Sequence, residues 1–257
     1  MDDVMSEVKE EYIVNLCKKG KRIDGRGFDQ YRELTIHKGV IATAEGSAKV
    51  ELGDTVVMVG VKVALGEPFA DTPERGVLTT NTELVPLASP TFESGPPNAT
   101  SVELARVVDR GIRGGEVIDL KKLCITPGEE VWILFVDIHI LNYDGNLIDA
   151  AALGAMSALS DTVVPASKFD KGDDFKLGIK ESVVACTCAK VGEAILLDPS
   201  LDEENVARGR ISISLDENGN IRAIQKGLRG SFSLDEIKQV ISMSKAAANK
   251  LREDMGA

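Results

Sequence analysis

Residues 131–155 read VWILFVDIHILNYDGNLIDAAALGA, and three structural signals follow one another within them. Val131 to Leu141 is apolar and rich in β-branched residues, which is typical of a buried strand. Asp144 and Gly145 then predict a turn. The segment from Ile148 to Leu159 predicts a helix whose alanines and glycine suit close packing on a sheet. A strand, turn and helix of this kind indicate a protein in which helices cover β-sheets.

Strand-like and helix-like segments occur in blocks on both sides of this stretch. Further strands are predicted at residues 31–37, 40–51, 55–65 and 83–87 before it, and at 183–190, 192–197, 210–215 and 221–225 after it. A helix is predicted over residues 98–112, and another begins at Ser233, where Glu236 completes a capping-box pattern. Strands followed by helices, twice over, predict an α+β chain with two similar lobes.

The amino-terminal segment predicts an amphipathic helix, after which Gly20 is a candidate left-handed cap. Its apolar side chains recur every four residues, at Val4, Val8, Tyr12 and Leu16. Residues 17–32 then carry six basic and two acidic side chains, a local net charge of +4. This basic stretch is either a source of positive potential for a specific partner or a helix cap followed by a solvated loop.

Composition and charge limit the classes of partner. The chain has 257 residues, with 30 Lys plus Arg against 41 Asp plus Glu, so its formal net charge is −11. This balance argues against a protein that coats nucleic acid with its whole surface, although it allows local basic patches. No apolar run approaches the roughly 18 residues of a membrane span, and the acidic start lacks the pattern of a secretory signal. We therefore expect a soluble, cytoplasmic protein without a membrane partner.

Cysteine and histidine are too few to predict a metal centre. The two histidines and four cysteines include no C-x-x-C pair, so no metal and no cofactor is expected. Cys186 and Cys188 lie two apart in an apolar run, which places both thiols on one face of a strand as core residues. Asp137 and His139 also share a strand face. They could form an acid–base pair, but we interpret them as satisfied polar groups of a core or sheet edge.

Four acidic residues follow the strand predicted at 192–197. Several carboxylates together can bind a divalent cation, yet acidic residues at hairpin turns are commonly solvated. We interpret this acidic cluster as a solvated turn. Its members are Asp198, Asp202, Glu203 and Glu204.

Three arginines lie on one side of the helix predicted over residues 98–112 and at its end. They are Arg106, Arg110 and Arg113, and we call them the arginine stripe. Each guanidinium can bind a phosphate through two parallel hydrogen bonds. Glu103 and Asp109 flank the stripe, so an exposed face crossed by ion pairs explains the same spacing. The spacing alone does not decide between a phosphate-binding surface and an ion-paired helix face. A few phosphate contacts give only weak, salt-sensitive binding to nucleic acid.

Three motifs in this sequence resemble the RNase PH family. They are RIDGR at residues 22–26, ELARVVDR at 103–110 and DGNLIDAAALGA at 144–155. The resemblance extends from about Lys21 to the last helix, and within the family it points to the non-catalytic RNase PH-like ring subunit of the archaeal exosome. It implies the RNase PH fold, whose two lobes have the topology of ribosomal protein S5 domain 2.

The resemblance also implies an assembly and a division of the chain. Catalytic and non-catalytic RNase PH-like subunits alternate in a hexameric ring, a trimer of heterodimers, and S1- or KH-type cap proteins bind RNA. The ring degrades single-stranded RNA from its 3′ end by phosphorolysis, with inorganic phosphate as the nucleophile and nucleoside diphosphates as products. We expect an N-terminal helix and basic turn at residues 1–30, domain 1 at 31–167, a linker at 168–182 and domain 2 at 183–257.

This sequence departs from the residues that catalytic members of the family use. After the Asp-Gly turn those members carry a small residue, then Thr or Ser, then Arg, which bind phosphate; here the positions are Asn146, Leu147 and Ile148. They also carry two acids six residues apart, and the matching positions are Glu204 and Arg210. Because aliphatic side chains cannot bind a phosphate dianion and an arginine cannot replace a carboxylate, we expect a non-catalytic subunit.

The resemblance assigns the arginine stripe to RNA. The non-catalytic subunit of the family contributes arginines from this helix to the RNA path beside its partner's active site. We therefore predict that Arg106, Arg110 and Arg113 bind RNA, and that the basic stretch at residues 18–32 adds positive potential along the path. Two alternatives remain: a self-sufficient phosphate-dependent 3′–5′ exoribonuclease, and an S5-like scaffold module outside RNA decay.

Overall fold

The computed structural model describes residues 2–256 of the chain and the side chains from residue 8 onward. The first lobe is built on a six-stranded sheet. Its strands are β1 (Leu34–Lys38), β2 (Gly46–Leu52), β3 (Thr55–Gly66), β4 (Val77–Leu84), β5 (Cys124–Thr126) and β6 (Glu130–Asn142). The strand order is β1-β2-β3-β6-β4, with β5 beside β6. All neighbours are antiparallel except β4, which runs parallel to β6.

The second lobe is built on a four-stranded antiparallel sheet. Between the two sheets in the chain lies a short pair, β7 (Val163–Val164) and β8 (Phe175–Lys176). The strands of the second sheet are β9 (Val184–Val191), β10 (Ala194–Leu197), β11 (Gly209–Leu215) and β12 (Ile221–Gly227). Their order is β10-β9-β11-β12, and β9–β10 and β11–β12 form two antiparallel hairpins.

Within residues 2–256, five α-helices connect and cover the sheets. They are α1 (Asp2–Lys18), α2 (Ala99–Gly114), α3 (Leu147–Asp161), α4 (Leu201–Val206) and α5 (Leu234–Met255). The side chain of Asn98 caps α2 by accepting a hydrogen bond from the Ser101 amide at 2.9 Å. Ser233 and Glu236 form the predicted capping box at the start of α5. None of these helices combines the length and apolar character needed to cross a bilayer.

Helices α2 and α3 lie between the two sheets, and α2 contacts β4 of the first sheet and β12 of the second. Helix α3 packs against β2 and β3 of the first sheet and against β9 of the second. On β9, Thr187 hydrogen-bonds to Asp149 of α3, whereas the neighbouring Cys186 faces Ser244 of α5. Because successive strand residues point to opposite faces, α3 and α5 cover opposite faces of the second sheet. The layers are therefore sheet, helices, sheet and helix.

The segment at residues 131–155 lies at the centre of the core, as its sequence predicts. Buried and half-buried residues alternate along β6, and nearly every residue of α3 is buried. Gly154 of α3 allows close contact with the sheet, because a Cβ there would lie only 2.7 Å from Cγ2 of Val59. The α+β prediction is confirmed.

Three predicted elements differ from the structure. Strand β2 begins at Gly46 because residues 42–45 turn before it, and β4 ends at Leu84 rather than extending over 83–87. Helix α1 is present, but Val8 and Tyr12 are exposed, while Ile13 and Cys17 pack against Val191 and Leu196. The face of α1 that contacts the second lobe is therefore rotated by about one residue from the face that the sequence predicted. The side chain of Val4 lies outside the described residues.

Candidate functional site

Helix α2 presents the arginine stripe to solvent. Its opposite side carries the apolar residues that pack into the core, namely Leu104, Val107, Val108 and Ile112. Arg106, Arg110 and Arg113 are all exposed. The 3.6-residue periodicity accounts for both faces, as expected for an amphipathic helix.

The three guanidiniums differ in how many donors remain available. Arg106 makes no hydrogen bond or ion pair with any other described residue. Arg110 donates from Nη1 to Oε1 of Gln225 on β12, at 2.6 Å. Arg113 donates from Nε to Oδ2 of Asp109 at 2.7 Å, and from Nη2 to the carbonyl oxygen of Leu78. Arg106 and Arg110 therefore keep most of their donors for a ligand, and Arg113 keeps fewer.

A small cavity beside α2 brings together the positions at which this sequence departs from catalytic family members. It has a volume of about 50 Å³, far below the roughly 300–1,000 Å³ typical of ligand sites. Its lining residues are Thr100, Glu103, Leu104, Tyr143, Leu147, Ile148, Glu204 and Arg210. The structure thus places Leu147, Ile148 and Arg210 around the same cavity.

An ion pair and a hydrogen bond occupy the polar side of this cavity. Nη2 of Arg210 lies 2.8 Å from Oε1 of Glu103. The Tyr143 hydroxyl donates to Oε2 of Glu204 at 2.9 Å. Burial raises the pKa of Glu204, while the positive charge of Arg210 and the Tyr143 hydrogen bond act in the opposite direction. On the other side, Leu147 and Ile148 are buried and apolar, so neither of these two side chains can hydrogen-bond to a phosphate dianion.

The acidic cluster is not a solvated turn, and that interpretation of the sequence was wrong. Asp198 and Glu203 have exposed fractions of 0% and 1%. Ser200 and Glu203 form a capping box that starts α4 and turns Glu203 toward the interior. There, Arg22 donates from Nε and Nη2 to the two carboxylate oxygens of Glu203, at 2.9 Å and 2.5 Å.

The arginines of the basic stretch at residues 18–32 form ion pairs within the chain, whereas the sequence predicted that the stretch adds positive potential along an RNA path. Arg22 is buried, and Arg26 donates from Nη1 to Oδ2 of Asp198 at 2.9 Å. Arg32 binds both oxygens of Asp198, at 2.9 Å and 2.8 Å. These three arginines pair with the buried carboxylates of Glu203 and Asp198, so much of their positive charge is balanced within the subunit. Lys18, Lys19 and Lys21 remain exposed.

Asp149 is a buried polar residue that the sequence did not single out. It accepts hydrogen bonds from the hydroxyls of Tyr31 and Thr187, at 2.6 Å and 2.7 Å. Asn146, which has a left-handed backbone conformation, donates to both Asp149 and Asp198, at 2.8 Å and 2.7 Å. Burial raises the pKa of Asp149 to about 6. Because Tyr31, Thr187 and Asp198 are distant in sequence from Asn146 and Asp149, no local spacing could have revealed the whole network.

The remaining candidates do not form a metal or acid–base site. Asp137 accepts from the Asn81 amide at 3.2 Å, and His139 lies 3.2 Å from Glu83, so each has its own partner on β4. Among the residues that the structure describes, no three His, Cys, Asp or Glu side chains are placed to share a metal ion. Cys186 and Cys188 are buried free thiols, as expected for core residues.

Two family models match the chain. The model for 3′ exoribonuclease family domain 1 matches residues 30–165, and the model for domain 2 of the same family matches residues 181–247. The chain therefore belongs to the 3′ exoribonuclease family, also called the RNase PH family.

Full-length relatives make the resemblance more specific. The chain is 51% identical over 254 residues to exosome complex component Rrp42 from Methanocella arvoryzae, covering 99% of this chain and 98% of that protein. It is 50% identical over 251 residues to exosome complex component Rrp42 from Thermoplasma acidophilum, with 98% and 96% covered.

Solved structures agree with these relatives. One is a chain from the Archaeoglobus fulgidus exosome with RNA bound to the active site, with a TM-score of 0.95 at 50% identity over 97% of this chain and 98% of that one. Another belongs to an archaeal exosome core, with a TM-score of 0.92 at 45% identity over 100% and 99%. The expected RNase PH fold is confirmed.

Proposed function

We propose that this chain is a non-catalytic subunit of an archaeal exosome core ring in the cytoplasm. In that ring it alternates with a catalytic RNase PH-like subunit as a trimer of heterodimers, and cap proteins with S1 or KH domains extend the RNA-binding surface. The ring degrades single-stranded RNA from its 3′ end by phosphorolysis. Similarity over nearly the whole chain to proteins named Rrp42, and to subunits of solved exosome cores, supports this assignment.

The cavity beside α2 carries the non-catalytic assignment. Leu147 and Ile148 occupy the positions where a phosphate-binding Thr or Ser and Arg are expected, and both are buried. Arg210 occupies the second acid position and is paired with Glu103 at 2.8 Å. The second acid and the phosphate-binding pair are therefore absent from this cavity, and the cleavage chemistry falls to the partner subunit.

The arginine stripe supplies the RNA contact. Arg106 and Arg110 are exposed, lie four residues apart on one face of α2, and retain donors that can bind backbone phosphates. Arg113 contributes less, because two of its donors already bind Asp109 and Leu78. We assign residues 31–167 and 183–257 to the two domains of the subunit, with 168–182 as the linker between them.

RNA binding by the assembled ring tests the role of the stripe. Changing Arg106 and Arg110 together to Glu should weaken binding strongly, because two attractive phosphate contacts become repulsive. With Ala at both positions, the slope of log K against log salt should become shallower by about 1.4, since each single-strand phosphate contact contributes roughly 0.7. The control changes Arg208 and Arg229, two exposed arginines outside α2, to Glu. Equal weakening by the control, or unchanged binding by the α2 variants, contradicts the assignment.

Diphosphate release tests the non-catalytic role. The chain alone, given oligoadenylate and inorganic phosphate, should release no ADP, whereas the ring assembled with a catalytic subunit should release it. ADP formation by the pure chain would instead identify a self-sufficient phosphorolytic ribonuclease. Failure to assemble with any RNase PH-like partner would favour a scaffold role outside RNA decay.

A further inference from the structure

The arginine-bearing helix α2 is held from the side by the second lobe. Arg210 on β11 binds Glu103 on α2, with Nη2 and Oε1 2.8 Å apart. Glu103 stands three residues before Arg106, which is one turn of an α-helix. The ion pair therefore fixes α2 close to the first arginine of the stripe.

The guanidinium of Arg210 is itself held in place. Arg210 pairs across the β11–β12 ladder with Gly227. A Cβ at Gly227 would lie 3.0 Å from Nη2 and 3.1 Å from Nε of Arg210, so the guanidinium rests directly on the glycine backbone. The negative charge of Glu204 attracts Arg210 as well. The cation thus has one well-defined position, facing Glu103.

The same hairpin makes a second contact with α2. Gln225 on β12 accepts a hydrogen bond from Arg110 at 2.6 Å, and it lies two residues before Gly227, on the same face of the strand. Glu103 and Arg110 are seven residues apart, which corresponds to about 10 Å along a helix axis. The β11–β12 hairpin therefore holds α2 at two points, and those points bracket Arg106.

We propose that Arg210 is a positioning residue for RNA binding: through Glu103 it fixes the rotation and height of α2, so that Arg106 and Arg110 meet the RNA phosphates. The residue that occupies a lost acid position has thus become an anchor between the lobes. This inference rests on the proposed function of the stripe.

The negative charge of Glu103 allows the positioning role of Arg210 to be tested. Glu103 is a carboxylate on the RNA-binding helix, so simple electrostatics predicts that its removal strengthens binding to RNA. The positioning role predicts weaker binding to RNA instead, because Glu103→Ala frees α2 from Arg210. Arg210→Ala should weaken binding as well. The double variant should be no weaker than the worse single variant, since the two side chains act as one unit.

RNA affinity of the assembled ring decides between these outcomes. Fluorescence anisotropy with a labelled oligoadenylate should show that Glu103→Ala and Arg210→Ala each weaken binding by about three- to tenfold, the size expected for a coupled pair. Melting temperatures of the ring should change little. Gly227→Ala, which leaves the charge unchanged but displaces the guanidinium, should also weaken binding. Arg208→Ala, which removes a positive charge two residues away without touching α2, should not.

Unchanged or tighter binding by Glu103→Ala, while Arg106→Ala with Arg110→Ala weakens binding, overturns the positioning role alone. If the two stripe substitutions also leave binding unchanged, the proposed RNA contact fails as well. Equal weakening by Arg208→Ala and Arg210→Ala would show that the total charge of the hairpin, and not the position of α2, determines affinity.

Discussion

The buried guanidinium of Arg22 allows the attachment of the N-terminal segment to the second lobe to be measured. Substitution by Met keeps an unbranched apolar side chain but removes the charge. Arg22 makes two hydrogen bonds to Glu203, at 2.9 Å and 2.5 Å, and one each to the carbonyl oxygens of Leu197 and Asp198, both at 2.8 Å. In Arg22→Met all of these acceptors lose the Arg22 donor, and among the described residues Glu203 keeps only the neutral Ser200 amide, at 3.0 Å.

The expected loss of stability is large. Glu203 has an exposed fraction of 1% and would remain buried without its countercharge. Removing one partner of a buried ion pair costs about 3–5 kcal/mol, so the free energy of unfolding should fall by about 4 kcal/mol. Adding Glu203→Met removes the unpaired charge and should restore at least about 1 kcal/mol. The control, Lys21→Met, changes an exposed neighbour and should stay within about 0.5 kcal/mol of the parent.

Denaturant unfolding measures these differences. The single tryptophan, Trp132, is buried on β6 with an exposed fraction of 3%, and its emission together with far-ultraviolet circular dichroism reports unfolding. A loss for Arg22→Met no greater than that for Lys21→Met would refute the reasoning, because the buried network would then contribute nothing beyond a surface charge. A double variant less stable than Arg22→Met would show that Glu203 needs no countercharge.

Two further substitutions test other parts of the core. Since burial raises the pKa of Asp149 to about 6, its protonation favours the folded state below about pH 4, and this contribution is lost as the pH rises through about 6. The unfolding free energy of the parent relative to Asp149→Asn should therefore fall by roughly 2.5 kcal/mol from about pH 4 to pH 7; a constant difference would contradict the raised pKa. Gly154→Ala gains about 1 kcal/mol of helix propensity, but its Cβ would meet Val59 at 2.7 Å. Overpacking costs about 1–3 kcal/mol, so the variant should unfold at lower denaturant, and a stabilised variant would disprove the close contact.

The parts of the fold that sequence periodicity predicts well are those with strong local signals. The strand predicted over 131–141 is observed as Glu130–Asn142, and the helix predicted over 148–159 as Leu147–Asp161. Long apolar runs on both sides of the Asp144–Gly145 turn define these elements within the segment itself. The exposed face of α2 follows from its 3.6-residue pattern in the same way.

The sequence interpretation was wrong where a residue's environment depends on distant parts of the chain. Glu203 is 181 residues from Arg22, and neither residue alone indicates that both are buried. The Ser200–Glu203 spacing does match a capping box, and it was the one local signal that could have indicated a short helix in place of a turn.

The cavity beside α2 was predictable in part. The resemblance placed Leu147, Ile148 and Arg210 at positions associated with phosphate binding and acid catalysis, and the structure brings them together. The bond from Arg210 to Glu103 could not be predicted, because it joins a strand of one lobe to a helix of the other over 107 residues. Only the packing of the lobes brings them within reach.

The wide separation between Arg22 and Glu203 has a consequence for biosynthesis. Translation makes Arg22 well before its partners, because Leu197, Asp198 and Glu203 follow it by 175, 176 and 181 residues. Domains generally fold in order of synthesis, so the first lobe can collapse while Arg22 still faces water. The segment around Arg22 therefore becomes fixed late, once β9, β10 and α4 have been translated. Arg22 is thus translated before its partners and becomes ordered only after they have been made.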